Sequence, residues 1–481
     1  MRRKNELIFL LLLFLLTLGV RISLISQGPY HYDSLELLIA SQKTLATHQL
    51  QYMHGAGYPL TVLTGAFFLL VFGHSFPVFA INLIGVVFSS ACVLALYYLV
   101  RRLLSVEAAF FSAALFSFMP GLLSVSIYGI NVPVSLFFIL LSASFMAKAA
   151  SGKGNFNLCW SGLCLGAAAG CRLPDAIMFL PMALLFFSSV GVNRRSLKDF
   201  VVFFAAPFAA VPALLYYPMF ARGEQQQLLT IASRNEMGKF LGLFSKMLGD
   251  SSAAFVALAF PPVIVSAMGG LLFIIKEGRK RLFYFFVAWT LVPFFYYANI
   301  STVEPRMLVI AAVPCAALAG FFLTRFFIKI PVAALLLLAV ICGAMFFAIY
   351  PTLEFRHANN LQEQFGRWVR KNTPQDAVII SNDEWLFLNY YAHRRPLHKP
   401  WDCDSLSSQR FREAIDKELS AGRRVFVLQS VLATDFCGVF RKGPQQKYDF
   451  SEIGRCQNEN WHHNCLDMQV NDDRLLELKI K

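Results

Sequence analysis

At 481 residues, 57% hydrophobic and only 15% charged, the chain carries far more apolar side chain than a soluble protein of this length needs. The formal net charge of +14 does not point to nucleic acid, because most basic residues outside the tail sit in short clusters between apolar segments, the pattern of a membrane topology signal. Composition therefore indicates a polytopic α-helical membrane protein.

The first apolar run, Leu7 to Val20, follows Met1-Arg2-Arg3-Lys4. No small-x-small cleavage site follows it, so it is expected to stay as the first span rather than leave as a secretory signal. Further spans of suitable length are predicted near 77–100, 107–125, 131–148, 155–171, 175–191, 200–217, 252–275, 282–298, 307–324 and 330–350, about 11 spans with the first at 7–26. The clusters Arg2/Arg3/Lys4, Arg101/Arg102, Lys148/Lys153, Arg194/Arg195/Lys198, Lys276/Arg279/Lys280/Arg281 and Arg325/Lys329 then fall on one side, which the positive-inside rule makes cytoplasmic. Pro59–Phe72 is apolar but short. A crossing there would invert every cluster from Arg101 onward, so it is expected to lie on the outer face as an interfacial helix.

Parity puts the first loop (27–76), Pro218–Ser251, the connection "ANISTVEPR" and everything after Tyr350 on the outer side. Segments 155–171 and 175–191 are separated only by "RLPD", which leaves a re-entrant pair as an alternative. The expected division is a transmembrane domain over 1–350 and a soluble extracytoplasmic α/β domain over 351–481. In the latter, "LQEQFGRWVRKNTPQDAVIISNDEW" reads as a helix, a turn at Thr373-Pro374, a strand Ala377 to Ile380 and a helix, and "GRRVFVLQS" as another strand. Cys403, Cys437, Cys456 and Cys465 fit one or two disulfides on an outer face. Cys465 beside His462 and His463 leaves a metal only as a minor alternative. The other six cysteines lie within spans, as small apolar groups.

Ionisable groups at membrane depth are costly unless used or paired, and here they gather on the outer side. Asp33 and Glu36 in "QGPYHYDSLELL" follow the first span, Arg172 and Asp175 flank "LP", and Glu304 and Arg306 precede "MLVIAAVPCAALAG". With Arg222, Arg234, Lys239 and Lys246 of the outer loop, they are candidates to line a cavity for an anionic head group. Each has a plainer reading. Asp33-Ser34-Leu35-Glu36 matches a capping box; Arg172 and Arg306 taken singly read as snorkelling helix ends; and Arg172 has Asp175 to pair with. His31, His48, His54 and His74 lack metal-binding spacing and read as interfacial or hydrogen-bonding residues.

These residues carry a family resemblance. "GVRISLISQGPYHYDSLELLIASQKTLATHQL" followed by "HGAGYPLTVLTGAFFLLVFG" resembles the first outer loop of the GT-C superfamily glycosyltransferases, especially the protein O-mannosyltransferase and aminoarabinose-transferase branch. In that branch an arginine closes the first span, an acidic motif opens one juxtamembrane helix, and a proline-led segment forms another. "GLCLGAAAGCRLPDAIMFLP" and "EPRMLVIAAVPCAALAG" resemble two further segments of the family. The chain departs from the pattern at Asp33-Ser34, where an Asp-Glu pair is usual, at Tyr58-Pro59, and at Asn131, where an acidic residue often stands.

The resemblance implies a GT-C-like fold with juxtamembrane helices in the first outer loop. It implies transfer of a sugar from a polyprenyl-phosphate-linked donor to a protein, lipid or glycan hydroxyl on the outer face, usually with inversion. On that reading Asp33 is the catalytic base. Arg172 and Arg306, with Lys239 and Lys246, hold the donor phosphate. Glu36 orients the acceptor or serves as a cap partner, and Glu304 and Asp175 stand behind them. A lipid phosphate is already a competent leaving group, so no metal and no other cofactor is expected. The expected partners are the lipid-linked donor, membrane lipid and the acceptor, without nucleic acid, and the expected location is a bacterial inner membrane. The rival reading is a transporter or flippase for a lipid-linked or anionic solute, whose sites commonly lie at the midplane of internally repeated halves; no such repeat is evident. A polymerase or ligase of lipid-linked saccharides is the chemically nearest alternative.

Overall fold

The computed structural model describes residues 3–53, 57–73, 75–152, 154–223, 240–298, 305–326, 330–381, 385–398, 405–433, 440, 448–456 and 473–480, except the side chains of 3–5, 240–248, 398, 405, 430, 433, 455–456, 473 and 480. It divides into two compact units, Met1–Ser26 with Leu37–Phe355, and Gln27–Glu36 with Arg356–Lys481.

The first unit is a helical bundle. Its first helix, Arg3–Ser23, turns Leu10 and Leu13 inward and leaves Leu7, Leu11, Leu12, Leu15 and Leu16 exposed, as a helix bordered by lipid on one side does. Among the described residues eight helices are long and apolar enough to cross a membrane, or ten if each of two bent pairs is one span. The eleventh segment expected from the sequence is the helix Asn155–Cys171. It is about 25 Å long, short for a hydrocarbon core of about 30 Å. Both bends have a proline at the break. Val106–Phe118 meets Pro120–Ser126 at 56° and Gly249–Ala259 meets Pro261–Lys276 at 91°, because proline lacks the N–H that would continue the preceding helix. Pro59–Phe72 is a helix with the expected bounds.

Several basic connections share one end of the bundle. Arg101 pairs with Glu6 at 2.6 Å, and Tyr97 Oη donates to the same carboxylate at 2.9 Å. Arg102 Nη1 donates to the Ser144 carbonyl, one turn before Lys148. Glu277 is bound by Arg279 at 2.7 Å and by Arg325 at 2.9 Å, and Leu103 lines a common cavity with Gly278 to Leu282. The helices Asn155–Cys171 and Lys280–Ala298 start near this end, so Arg172 and Tyr297 lie towards the opposite end.

Small residues let the helices close on one another, the usual device where lipid offers no hydrophobic drive to association. Ser142 and Ser161 each donate to the other's carbonyl, at 2.8 and 2.9 Å, and a Cβ on Gly270 would run into the Leu318 carbonyl. Arg21 is enclosed in this packing. Its guanidinium donates to Ser89 Oγ at 2.9 Å, the Thr17 carbonyl at 3.1 Å and the Ser117 carbonyl at 2.9 Å. Arg21→Leu is therefore expected to destabilise the bundle by about 1–2 kcal/mol, at the modest value that interhelical hydrogen bonds have in membranes. Thermal unfolding in detergent will measure it, and an unchanged midpoint would deny Arg21 this tethering role.

The second unit carries a five-stranded sheet in the order β2-β1-β3-β5-β4, with β1 Val378–Ser381, β2 Arg395–His398, β3 Val425–Leu428, β4 Tyr448–Cys456 and β5 Asp473–Ile480. β1 pairs in parallel with β2 and β3, and β5 runs antiparallel to β3 and β4. β1 and β3 are buried at every residue, which is why they read as unbroken apolar runs. The helix Leu361–Asn372 precedes β1, and Ser405–Ser420 connects β2 to β3. Arg424 Nε donates to Glu477 Oε1 at 2.6 Å across the sheet, and this bond holds the Glu477 carboxyl below its ordinary range. The six cysteines of the first unit are free thiols. Cys403, Cys437 and Cys465, the side chain of Cys456, and His462 and His463 lie outside the described residues.

Candidate active site

In the first unit a polar cluster forms where the helix Asn155–Cys171 ends. The chain leaves this helix at Arg172, whose backbone is extended, and enters a short 3-10 turn, Leu173–Met178. This turn brings the Asp175 carboxylate back beneath Arg172. Tyr297 Oη donates to Asp175 Oδ1 at 2.5 Å, and Ser135 Oγ donates to Oδ2. Arg172 Nη1 stands 3.8 Å from Oδ1, and its guanidinium lies over the Tyr297 ring at 4.6 Å. Two hydroxyls thus occupy the carboxylate at hydrogen-bonding distance and leave it to Arg172 as a longer-range counter-charge. Arg172 is 2% and Asp175 0% exposed, yet Arg172 Nη1 has no hydrogen-bond acceptor among the described residues. A buried guanidinium N–H in that condition is suited to a further anionic acceptor.

Arg306, on the 3-10 turn Pro305–Leu308, is also buried, and its charge acts on Arg172, as does the Tyr58 hydroxyl. Snorkelling is therefore the wrong reading of both arginines. A snorkelling side chain carries its charge out to water, whereas protein encloses these two. Tyr58 leads into Pro59–Phe72 with φ 47°, a left-handed conformation that an aromatic residue adopts only when its surroundings hold it there. Thr61 Oγ1 donates to the Cys171 carbonyl at 3.0 Å, which ties the start of that helix to the residue before Arg172.

Asp33 and Glu36 lie in the second unit, at the start of the helix Tyr32–Thr47. The expected capping box is not what caps this helix. The His31 carbonyl accepts from Ser34 and Leu35, at 3.0 and 3.3 Å, and His31 Nδ1 accepts from the Asp33 amide at 3.0 Å, so His31 is the cap. An Nδ1 that accepts an N–H belongs to a neutral ring; the 3.7 Å approach of Asp33 Oδ1 to it is therefore not an ion pair. Asp33 falls in the first turn of the helix, past the cap position. Glu36 follows one turn later on the same helix.

Of the other candidates, Arg222 is exposed, donates to the Leu50 carbonyl at 2.9 Å and lies over Tyr52, tying down the first loop. Lys239, Arg234, Glu304, His54 and His74 lie outside the described residues, as does the side chain of Lys246. Sequence reading missed Ser135, Tyr297 and Tyr58. Ser135 and Tyr297 are polar residues inside apolar helices, where such groups usually mark a partner, although neither spacing nor motif singles them out. Among the described residues no three His, Cys, Asp or Glu side chains gather in a way that would hold a metal.

Residues 57–217 match the family described as dolichyl-phosphate-mannose-protein mannosyltransferase. No match is found among curated proteins. Among solved structures, ArnT from Cupriavidus metallidurans bound to undecaprenyl phosphate is similar with a TM-score of 0.60 at 12% identity, over 99% of this chain and 98% of that one. The archaeal oligosaccharyltransferase AglB from Archaeoglobus fulgidus, in complex with an inhibitory peptide and a dolichol-phosphate, is similar with a TM-score of 0.62 at 15% identity, over 87% of this chain and 69% of that one. The apo form of the Archaeoglobus fulgidus enzyme gives 0.63 at 15% identity, over 89% and 70%. The fold of this chain is that of the GT-C superfamily of membrane glycosyltransferases.

Proposed function

We propose that the protein transfers a sugar from a polyprenyl-phosphate-linked donor to a hydroxyl of a protein, lipid or glycan acceptor, with inversion at the anomeric carbon. The reaction takes place on the outer face of a bacterial inner membrane, where residues 351–481 form the extracytoplasmic domain. The observation that carries this reading is the enclosed Arg172, held by Asp175 and Tyr297 with one guanidinium nitrogen lacking an acceptor among the described residues. The similar ArnT and AglB structures carry undecaprenyl phosphate and a dolichol-phosphate, and a lipid phosphate is the kind of acceptor a guanidinium fork fits.

Asp33 takes the proton of the acceptor hydroxyl as its oxygen bonds to the anomeric carbon. The bond from that carbon to the phosphate oxygen breaks, and its electron pair stays on the phosphate. Arg172 and Arg306 stabilise the negative charge that grows there. Lys239 and Lys246 are assigned to the same phosphate, Glu36 to orienting the acceptor, and Glu304 and Asp175 to supporting the arginines. Each residue provides a charge or proton-transfer group that this chemistry needs, and none requires a metal.

Reconstitution in liposomes with radiolabelled undecaprenyl-phosphate hexoses and pentoses tests the reading. A covalent glycosylated product is expected without an ion gradient. Flux of label across the bilayer with no covalent product would replace it with the transporter reading.

A further inference from the structure

The segment that bears Asp33 is built into the same compact unit as the residues from Arg356 onward. Several contacts make that attachment specific. The Gln27 amide donates to the Arg356 carbonyl at 3.2 Å, Asn360 Nδ2 donates to the Gln27 carbonyl at 3.4 Å, and Gln362 Nε2 donates to the Tyr30 carbonyl at 3.3 Å. The Arg356 guanidinium covers the Tyr30 ring at 4.8 Å, and both residues are buried, at 1% and 3% exposure. Tyr32 rests against Trp385, with ring centroids 5.9 Å apart. A Cβ on Gly28 would come within 2.5 Å of Asn360 Oδ1, so glycine permits the close approach.

Tyr30 has φ 52°, a conformation a bulky residue keeps only where its surroundings over-determine it. Here the cation over its ring and the donor on its carbonyl do so. The His31 amide donates to the Pro29 carbonyl at 2.6 Å across this turn, and the His31 carbonyl then accepts from Ser34 and Leu35 at the start of the helix that presents Asp33. A residue fixed in a left-handed turn redirects the chain, so releasing Tyr30 would re-aim everything up to the helix start.

We propose that Arg356, assisted by Gln362, is the positioning residue for the catalytic loop, setting the direction in which Asp33 is presented; the inference rests on Asp33 being the base. The C-terminal unit is then a working part of the transfer apparatus. The test uses full-length protein in nanodiscs, with hydrogen exchange followed by mass spectrometry alongside turnover of undecaprenyl-phosphate sugars.

In Arg356→Ala, exchange in peptides covering 27–36 is expected to rise about tenfold, the scale of a lost buried cation–π contact, while β1 and β3 stay protected. Turnover should fall about a hundredfold, as it does when a catalytic group drifts by an ångström, with the KM for donor unchanged. Arg356→Lys, which keeps the cation, should recover part of both. Gln362→Leu and Gly28→Ala should reproduce the loosening in milder form and cover the case in which Arg356→Ala does not fold. Unchanged exchange over 27–36 in these variants, or loosening with full turnover, would overturn the proposal. Loosening of 27–36 beside full turnover in Asp33→Asn would uphold the placement of the loop and overturn the assignment of the base.

Discussion

Asp33→Asn is expected to lower sugar-transfer turnover by about 10²- to 10⁴-fold, the range that a positioned general base contributes. The helix start makes this a clean substitution. His31 provides the cap, by its carbonyl and by Nδ1 on the Asp33 amide, so neutralising Asp33 leaves the capping bonds in place. The attraction between a first-turn carboxylate and the helix N-terminus, about 0.3–1 kcal/mol, is lost, and asparagine retains the shape. Thermal unfolding should therefore move little and binding of undecaprenyl phosphate should hold. Glu36→Gln, one turn further along, should reduce turnover much less, because an orienting group removes no proton. Single-turnover transfer by the three proteins measures the contrast. Wild-type turnover in Asp33→Asn would take Asp33 out of the chemistry, and equal losses at Asp33 and Glu36 would point to a shared role of the two carboxylates.

Much of the bundle was legible because hydrophobic length and charge placement are one-dimensional signals. Helix ends at Pro59 and Phe72 coincide with the expected segment, and the basic connections meet through contacts such as Arg101 with Glu6 and Arg325 with Glu277. The strand at Val378–Ser381 was legible as an unbroken apolar run. β4 and β5 were not, because their charged and polar positions, among them Glu452, Arg474 and Glu477, hide the alternation of an antiparallel pair. At the site the charged residues were legible and their setting was not. Asp175 is held by Ser135 and Tyr297, 40 and 122 positions away, and no local pattern links residues so far apart. The capping box failed for a different reason. The pattern D-S-L-E satisfies the rule at Asp33, but Tyr32 already lies in the helix, so the cap falls two positions before Asp33, on a histidine that the rule does not rank.

Arg172→Gln is expected to weaken binding of undecaprenyl phosphate by about ten- to a hundredfold, the equivalent of about 1.5–3 kcal/mol for hydrogen bonds between charged groups. Removing one member of a buried ion pair commonly costs about 3–5 kcal/mol of stability, which would confuse the result. Here the partner is protected, because the hydroxyls of Tyr297 and Ser135 remain on Asp175, and Arg172 stands at 3.8 Å from it. The variant should therefore fold with a smaller loss than that range, and the affinity change reports on the ligand. Arg172→Lys separates charge from geometry. Lysine supplies the cation without the planar pair of donors, so it should recover part of the affinity and little of the turnover if the fork must follow the phosphate oxygens as charge builds on them. Tryptophan fluorescence or calorimetry with undecaprenyl phosphate in detergent gives the affinities. Unchanged affinity in Arg172→Gln would assign the buried guanidinium to holding the Asp175 cluster together and leave Arg306 as the principal phosphate ligand.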